Sequence, residues 1–242
     1  MSMSPLTPEA PSMEDLERLC GSPRRARLRA WRKRAAWRLV VGGASALKRT
    51  VDVVVSAAGL AALAPVFALV AAAIKLTDNG PVLFWQTRVG QWGREFPFPK
   101  FRSMCLDAEQ KKTALLAAND HGGSVTFKMK RDPRITAVGR IIRKLSIDEM
   151  PQLWLVLKGD MSLVGPRPPV PREVAEYTLA DRRRLDAKPG LTCIWQVSGR
   201  SEIGFQEWVR MDLRYAQRRS TLLELGLMFR TIKAVVSGRG AY

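Results

Sequence analysis

One stretch of the chain is patterned unlike the rest. From Val51 to Ile74 the residues are apolar with a single charged exception, Asp52, and Lys48-Arg49 and Lys75 close the run at its two ends. At about 1.5 Å per residue a straight helix of this stretch reaches about 36 Å, enough for a hydrocarbon layer of about 30 Å. It begins too far into the chain, and is too long, for a cleavable signal sequence. Pro65 lies inside it, removing a backbone donor and clashing with the preceding turn, so a bend is expected after Ala64. The arms on either side rise about 21 and 13 Å, and neither crosses a bilayer alone. A kinked spanning helix and a helix that enters one leaflet, turns at Pro65 and returns are both open on this pattern.

After the turn signal Asp78-Asn79-Gly80-Pro81 the pattern becomes mixed. Val82 to Trp85 and Phe96 to Pro99 read as short extended pieces. Leu106 to Asn119 reads as a helix, and so does Ile135 to Leu145, with Ile135, Val138, Ile141, Ile142 and Leu145 at helical spacing. Met150 to Leu157 continues the helical theme. Gly and Pro punctuate Gly159 to Pro171 and Lys188 to Gly199, which predicts shaped loops. Leu222 to Val236, interrupted by Glu224, Arg230 and Lys233, fits an amphipathic helix on a membrane or against a core. The expected organisation is a basic tail over 1–47, a membrane helix over 48–77 bent at Pro65, and a soluble domain over 78–242.

Charge changes the picture. The 242 residues hold 40 Lys+Arg against 22 Asp+Glu, a formal net charge of +18, so the partners are expected to be anionic: nucleic acid, acidic lipid or phosphorylated substrate. Residues 1–50 carry 11 basic and 4 acidic side chains and the remainder 29 and 18, so both flanks of the apolar run are positive and look cytoplasmic. The Arg-rich stretch Arg24 to Arg34, with Trp31 and Trp37 nearby, reads as an arm for anionic headgroups or as a solvated basic arm. Three separated cysteines, Cys20, Cys105 and Cys193, argue against a disulfide framework, and the lone His121 against a His-rich zinc site. A metal would then be a hard, carboxylate-bound cation, magnesium by default.

The candidate chemistry gathers in a few motifs. Ser146-Ile147-Asp148-Glu149 is a capping box on its blandest reading. Its adjacent carboxylates could also bind Mg²⁺, and an aspartate can attack phosphorus. Arg167, between Pro166 and Pro168 in Gly159 to Pro169, offers a stiffly mounted guanidinium to phosphate oxygens. Arg88, in Gln86-Thr87-Arg88-Val89-Gly90, and Lys100 and Arg102, in Lys100-Phe101-Arg102-Ser103-Met104, could serve in the same way.

Taken in order, these motifs resemble the bacterial sugar transferases, the monotopic phosphoglycosyl transferases. The resemblance rests on Lys48-Arg49-x-x-Asp52, the Pro-bent apolar helix, Gln86-x-Arg88-x-Gly90, Lys100 to Met104 and Asp148-Glu149-x-Pro151-Gln152-Leu153. It continues through Gly159 to Pro168, Lys188 to Thr192 and Trp195 to Arg200. It covers residues 48–242 and implies a mainly α fold with short β pieces, in which a re-entrant membrane helix joins a cytosolic α/β catalytic domain and interfacial amphipathic helices.

The activity implied is transfer of a hexose-1-phosphate from a UDP-sugar to undecaprenyl phosphate, releasing UMP through a covalent aspartyl intermediate on Asp148. Asp148 and Glu149 would hold Mg²⁺, and Arg167, with Arg88, Lys100, Arg102 and Arg200, would contact phosphates or nucleotide. Asp160, Thr192, Gln196 and Asp212 would support loops. The implied setting is the inner membrane, with anionic lipids as further partners, no nucleic acid, and a homodimer among the open oligomeric states. Many relatives have Ser before the helix-breaking proline, where this chain has Ala64, so the bend relies on Pro65. The chain's last residues resemble the exopolysaccharide-initiating branch, which implies glucose or galactose phosphate. A different class, a membrane-anchored basic binding protein without catalysis, accounts for the charge but leaves Asp148-Glu149 and the Arg167 loop without a task.

Overall fold

The computed structural model describes residues 23–115, 132–199 and 203–237. Its elements are α1 (Pro23–Asp78), the strands β1 (Leu83–Val89) and β2 (Glu95–Phe101), α2 (Ala108–Leu115) and α3 (Ala137–Lys144). A 3-10 turn, Ile147–Gln152, runs into α4 (Leu153–Lys158), followed by β3 (Ser162–Val164), α5 (Pro171–Ala175) and α6 (Leu179–Arg182). A second 3-10 turn (Arg183–Asp186), β4 (Gly190–Thr192), a third turn (Trp195–Val197), α7 (Phe205–Arg218) and α8 (Thr221–Ser237) complete the order. The described residues fall into two compact units, divided between Lys48 and Arg49. In the first, the described residues are helical and expose Leu28, Trp31 and Trp37.

In the second unit the apolar helix has two faces. Val51, Leu60, Leu63, Val66, Phe67, Val70 and Ile74, at the three- and four-residue spacing of one stripe, pack against the domain. Val54, Val55, Leu69 and Leu76 are exposed on the other side. The contact runs to both ends of the apolar stretch. Near its start Arg49 donates to the carbonyls of Val156 (2.6 Å) and Leu157 (2.7 Å), the unpaired acceptors at the end of α4, where a cation also meets the negative helix terminus. One turn on, buried Asp52 accepts from Ser162 Oγ (3.1 Å) and the Leu163 amide (3.0 Å) of β3. Near its end, Val70 and Ile74 join Phe101 and Ile142 in a small core, with Phe67 edge-on to Phe101 at 5.3 Å. Pro65 lies inside α1 without ending it.

The main core joins Phe96 and Phe98 of β2, Leu153, Leu155 and Val156 of α4, Met161, Leu163 and Val164 around β3, Tyr215 of α7 and Leu227 of α8. Each such side chain contributes about 1.5–3 kcal/mol when fully buried. The predicted extended pieces are the two strands of one antiparallel hairpin, pairing Leu83 with Phe101 through Val89 with Glu95. Pro97 and Pro99 are tolerated because a two-stranded sheet leaves each strand an edge without ladder partners.

The stretches expected as loops contain a parallel pair, β3 with β4, in register Ser162 to Gly190 and Val164 to Thr192. Where β4 begins and β3 ends the backbones approach so closely that a Cβ on Gly190 would lie 2.0 Å from the Gly165 nitrogen and one on Gly165 2.3 Å from the Lys188 carbonyl oxygen, so neither glycine can carry a side chain there. The predicted helices appear as α3, α4, α8 and α2; of the Leu106 to Asn119 prediction, Leu106 and Asp107 form a turn ahead of α2, and residues 116–119 lie outside the described residues.

Candidate active site

Two backbone features present the carboxylate pair. Thr136 caps α3 by accepting from the Gly139 amide at 2.9 Å, and α3 ends at Leu145. Ser146 then adopts a left-handed conformation, φ 57°, which is uncommon outside glycine and turns the chain sharply into the Ile147–Gln152 turn. The capping box expected at this point does not form: Ser146 makes no side-chain cap bond, and the Glu149 side chain is engaged elsewhere.

Glu149 is gripped by two cations. Arg167 approaches as a fork, Nη2 to Oε1 at 2.5 Å and Nη1 to Oε2 at 3.1 Å, and Lys100 Nζ adds a third bond to Oε1 at 2.7 Å. All three side chains are about one-fifth exposed. Burial pushes the Glu149 carboxyl up, but Arg167 and Lys100 more than reverse it and hold it well below the usual range. Asp148 is placed differently. It is buried, it bonds neither cation, and burial together with the neighbouring Glu149 charge pushes it up to about 6. Two adjacent carboxylates are thus driven apart, one firmly ionised and the other near the pH at which it can gain or lose a proton.

The cations are rigidly supported. Lys100 and Arg88 lie over the Phe98 ring, at 5.6 and 5.2 Å from its centroid. Arg88 donates to Gln86 Oε1 (3.1 and 2.7 Å) and to the Pro168 carbonyl (2.9 Å), so it braces the Arg167 loop; burial and the charge of Arg167 lower it to about 10. Behind the loop Arg184 donates to the Arg167 carbonyl (3.1 Å), to Tyr177 Oη (2.5 Å) and to the fully buried Asp212. A narrow cleft runs past Gly90, Arg167, Arg184 and Pro189.

Of the residues singled out from sequence, Asp148, Glu149, Lys100 and Arg167 meet in one site, with Arg88 as a brace. Arg102 does not join them: it is buried, pairs with Asp78 through both terminal nitrogens and donates to the Pro81 carbonyl at 2.7 Å, so it locks the end of α1 to β2. Arg200 lies outside the described residues. Asp212 supports the site loop through Arg184, Thr192 pairs its hydroxyl with Thr231 at 2.7 Å, Gln196 accepts from Cys193 at 3.1 Å, and Asp160 pairs with Lys158. Sequence reasoning missed Arg184 and Tyr177, ordinary residues in a basic stretch. It noted Arg49 and Asp52 without a role, although a lone carboxylate in an apolar helix was a usable sign of a buried partner.

Magnesium characteristically takes one or two protein carboxylates and completes its shell with water and substrate phosphates. Asp148 and Glu149 fit that donor set. Among the described residues no group of three or more His, Cys, Asp or Glu could hold a metal without such help. Both Glu149 oxygens accept from cations, Oε1 twice and Oε2 once, so a metal at Glu149 would share the carboxylate with them.

Comparison with known proteins agrees with the motif order. The chain is 50% identical over 165 residues to galactosyl transferase CpsE of Streptococcus agalactiae serotype III, a match covering 68% of this chain and 36% of that protein. It is 39% identical over 205 residues to exopolysaccharide production protein ExoY of Sinorhizobium fredii, covering 84% and 90%. It is 44% identical over 201 residues to undecaprenyl-phosphate galactose phosphotransferase of Salmonella typhimurium, covering 81% and 42%. The chain therefore spans less than half of two of these relatives and nearly all of the third. The family model described as bacterial sugar transferase matches residues 43–238, and the chain belongs to that family.

Proposed function

We propose that this protein transfers a hexose-1-phosphate, galactose or glucose, from a UDP-sugar to undecaprenyl phosphate, initiating an exopolysaccharide or other surface glycan. The observation that carries this reading is the buried Asp148 beside a carboxylate that already occupies a Lys100 and Arg167 anion seat. An Asp148 oxygen attacks the sugar-bearing phosphorus, the bond from that phosphorus to the oxygen bridging to UMP breaks, and UMP leaves with the bonding electrons. A phosphate oxygen of the lipid then attacks the same phosphorus and returns Asp148 as a carboxylate. Arg167 and Lys100 oppose the charge that gathers on the phosphoryl oxygens, where a preorganised donor is most effective. Asp148 and Glu149 would hold Mg²⁺, which when bound screens the diphosphate.

The membrane reading is re-entry at the cytoplasmic face of the inner membrane. A helix that crossed the bilayer would carry one end away from a soluble domain, whereas Arg49 and Asp52 at one end and Val70 and Ile74 at the other all contact the same one. Its free face, Val54, Val55 and Leu69, is apolar and suits lipid. On α8 the exposed stripe of Leu222, Leu225, Phe229 and Ile232 suits the interface, where Arg230 and Lys233 can meet anionic headgroups.

The test is incubation with UDP-galactose or UDP-glucose, Mg²⁺ and undecaprenyl phosphate. UMP release and a hexose-phosphate adduct on Asp148 by mass spectrometry are expected; UMP release at the wild-type rate from Asp148→Asn would overturn the mechanism.

A further inference from the structure

Glu149 makes the contacts that a bound phosphate would make. We infer that Glu149 is an internal occupant of the phosphate seat: in the free protein its carboxylate fills the site formed by Arg167 and Lys100, and the substrate's phosphoryl group enters by displacing it. This rests on the proposed donor chemistry and adds a competition that the chemistry alone does not require.

Three observations support it. The first is shape, because the guanidinium fork matches a carboxylate and a phosphate in the same two-pronged way, and Arg167 presents both prongs to Glu149. The second is charge. Arg167 and Lys100 are about four-fifths buried, and two adjacent cations there would be strained without an anion; Glu149 supplies it until a more highly charged phosphoryl group arrives. The third is anchoring. The Arg167 backbone stands between Pro166 and Pro168, its carbonyl held by Arg184 and the next carbonyl by Arg88, while Lys100 lies over Phe98. The Glu149 carboxylate is held by Arg167 and Lys100, so an anion that takes these two partners leaves it no hydrogen bond that keeps it in place.

Displacement has a consequence for the reaction. While Glu149 is clamped, Asp148 is the carboxylate of the pair that bonds neither cation. Displacement would release Glu149 from Arg167 and Lys100, leaving both carboxylates free to hold a divalent ion that accompanies the phosphate.

The test is UDP binding to the full-length protein in detergent with EDTA, by calorimetry, for wild type, Glu149→Gln, Glu149→Asp and Asp148→Asn, each titrated at a temperature at which it is fully folded. Glu149→Gln keeps the shape and loses the competing charge, and should bind UDP about tenfold tighter or more, a factor worth about 1.4 kcal/mol. Glu149→Asp keeps the charge but shortens the reach, and should also gain, by a smaller factor. Asp148→Asn removes an equal neighbouring charge that bonds neither cation, and should gain far less than Glu149→Gln. Equal gains from Glu149→Gln and Asp148→Asn with none from Glu149→Asp would reduce the effect to bulk electrostatics and overturn the inference, as would no gain or a loss in Glu149→Gln for an anion that wild type binds. Repeating the titration with pyrophosphate separates the two readings. If UDP fails to bind all four proteins while pyrophosphate reproduces the ranking, the seat exchange stands and the nucleotide donor falls. If wild type releases UMP from a UDP-hexose but the ranking is absent, the donor stands and the exchange falls.

Discussion

Replacing Asp212 with alanine removes the carboxylate partner of Arg184, a pair 0% and 3% exposed. Breaking a buried ion pair from one side leaves an uncompensated charge and typically costs about 3–5 kcal/mol. Arg184 keeps two acceptors, Tyr177 Oη and the Arg167 carbonyl, which places the expected loss near the lower end, about 3 kcal/mol. For a domain of this size each kcal/mol shifts the melting temperature by about 2–4 °C, so Asp212→Ala should melt about 6–12 °C lower in the same detergent. A second consequence follows from geometry. Arg184 also holds the Arg167 backbone, so at a temperature where the variant is fully folded its turnover should still fall, while Asp212→Asn, which keeps shape and an acceptor, should lose less of both. The double replacement Arg184→Met with Asp212→Leu removes both buried charges and should recover part of the melting temperature. A melting temperature for Asp212→Ala within about 1 °C of wild type, or a double variant less stable than the single one, would refute the view that this pair is a buried charge compensation.

Other outcomes are expected on the same grounds. Asp148→Asn should lower UMP release by at least about a thousandfold, as loss of a nucleophile does elsewhere, with its melting temperature unchanged. Asp52→Ala leaves the Ser162 hydroxyl and the Leu163 amide without their buried acceptor, at about 1–3 kcal/mol for each donor; it should lower the melting temperature, and a value equal to wild type would count against that fastening. In the proposed mechanism the deprotonated Asp148 attacks, and burial with the neighbouring Glu149 charge pushes its carboxyl up to about 6, so activity at low Mg²⁺ should rise with pH through about 6. Rising Mg²⁺ should move that limb to lower pH, since a cation favours the carboxylate; a limb that ignores Mg²⁺ would argue against cation binding at Asp148.

How much of this was readable along the chain divides by distance in sequence. The apolar run, the helices α3 and α8, and the Asp148-Glu149 pair are local patterns, set by side-chain spacing within a few turns. The order of motifs carried the family as well, because each motif is a short string. What the bare string could not supply is who faces whom. Lys100 meets Glu149 across 49 positions, Arg167 meets it across 18, and Arg184 finds Asp212 across 28. Arg102 illustrates the point: as a basic residue in a basic motif it was grouped with the phosphate contacts, and the packing of α1 against β2 gave it Asp78 instead.

The three-residue strands β3 and β4 look like loops in the sequence because so few residues carry no period, and only their mutual pairing makes them strands. Composition and local pattern could name the groups able to do chemistry, since charge and spacing belong to the chain alone. Their assignment to anion seat, brace or fastening depended on folding, because buried charges take whichever partners the packed core brings within hydrogen-bond reach.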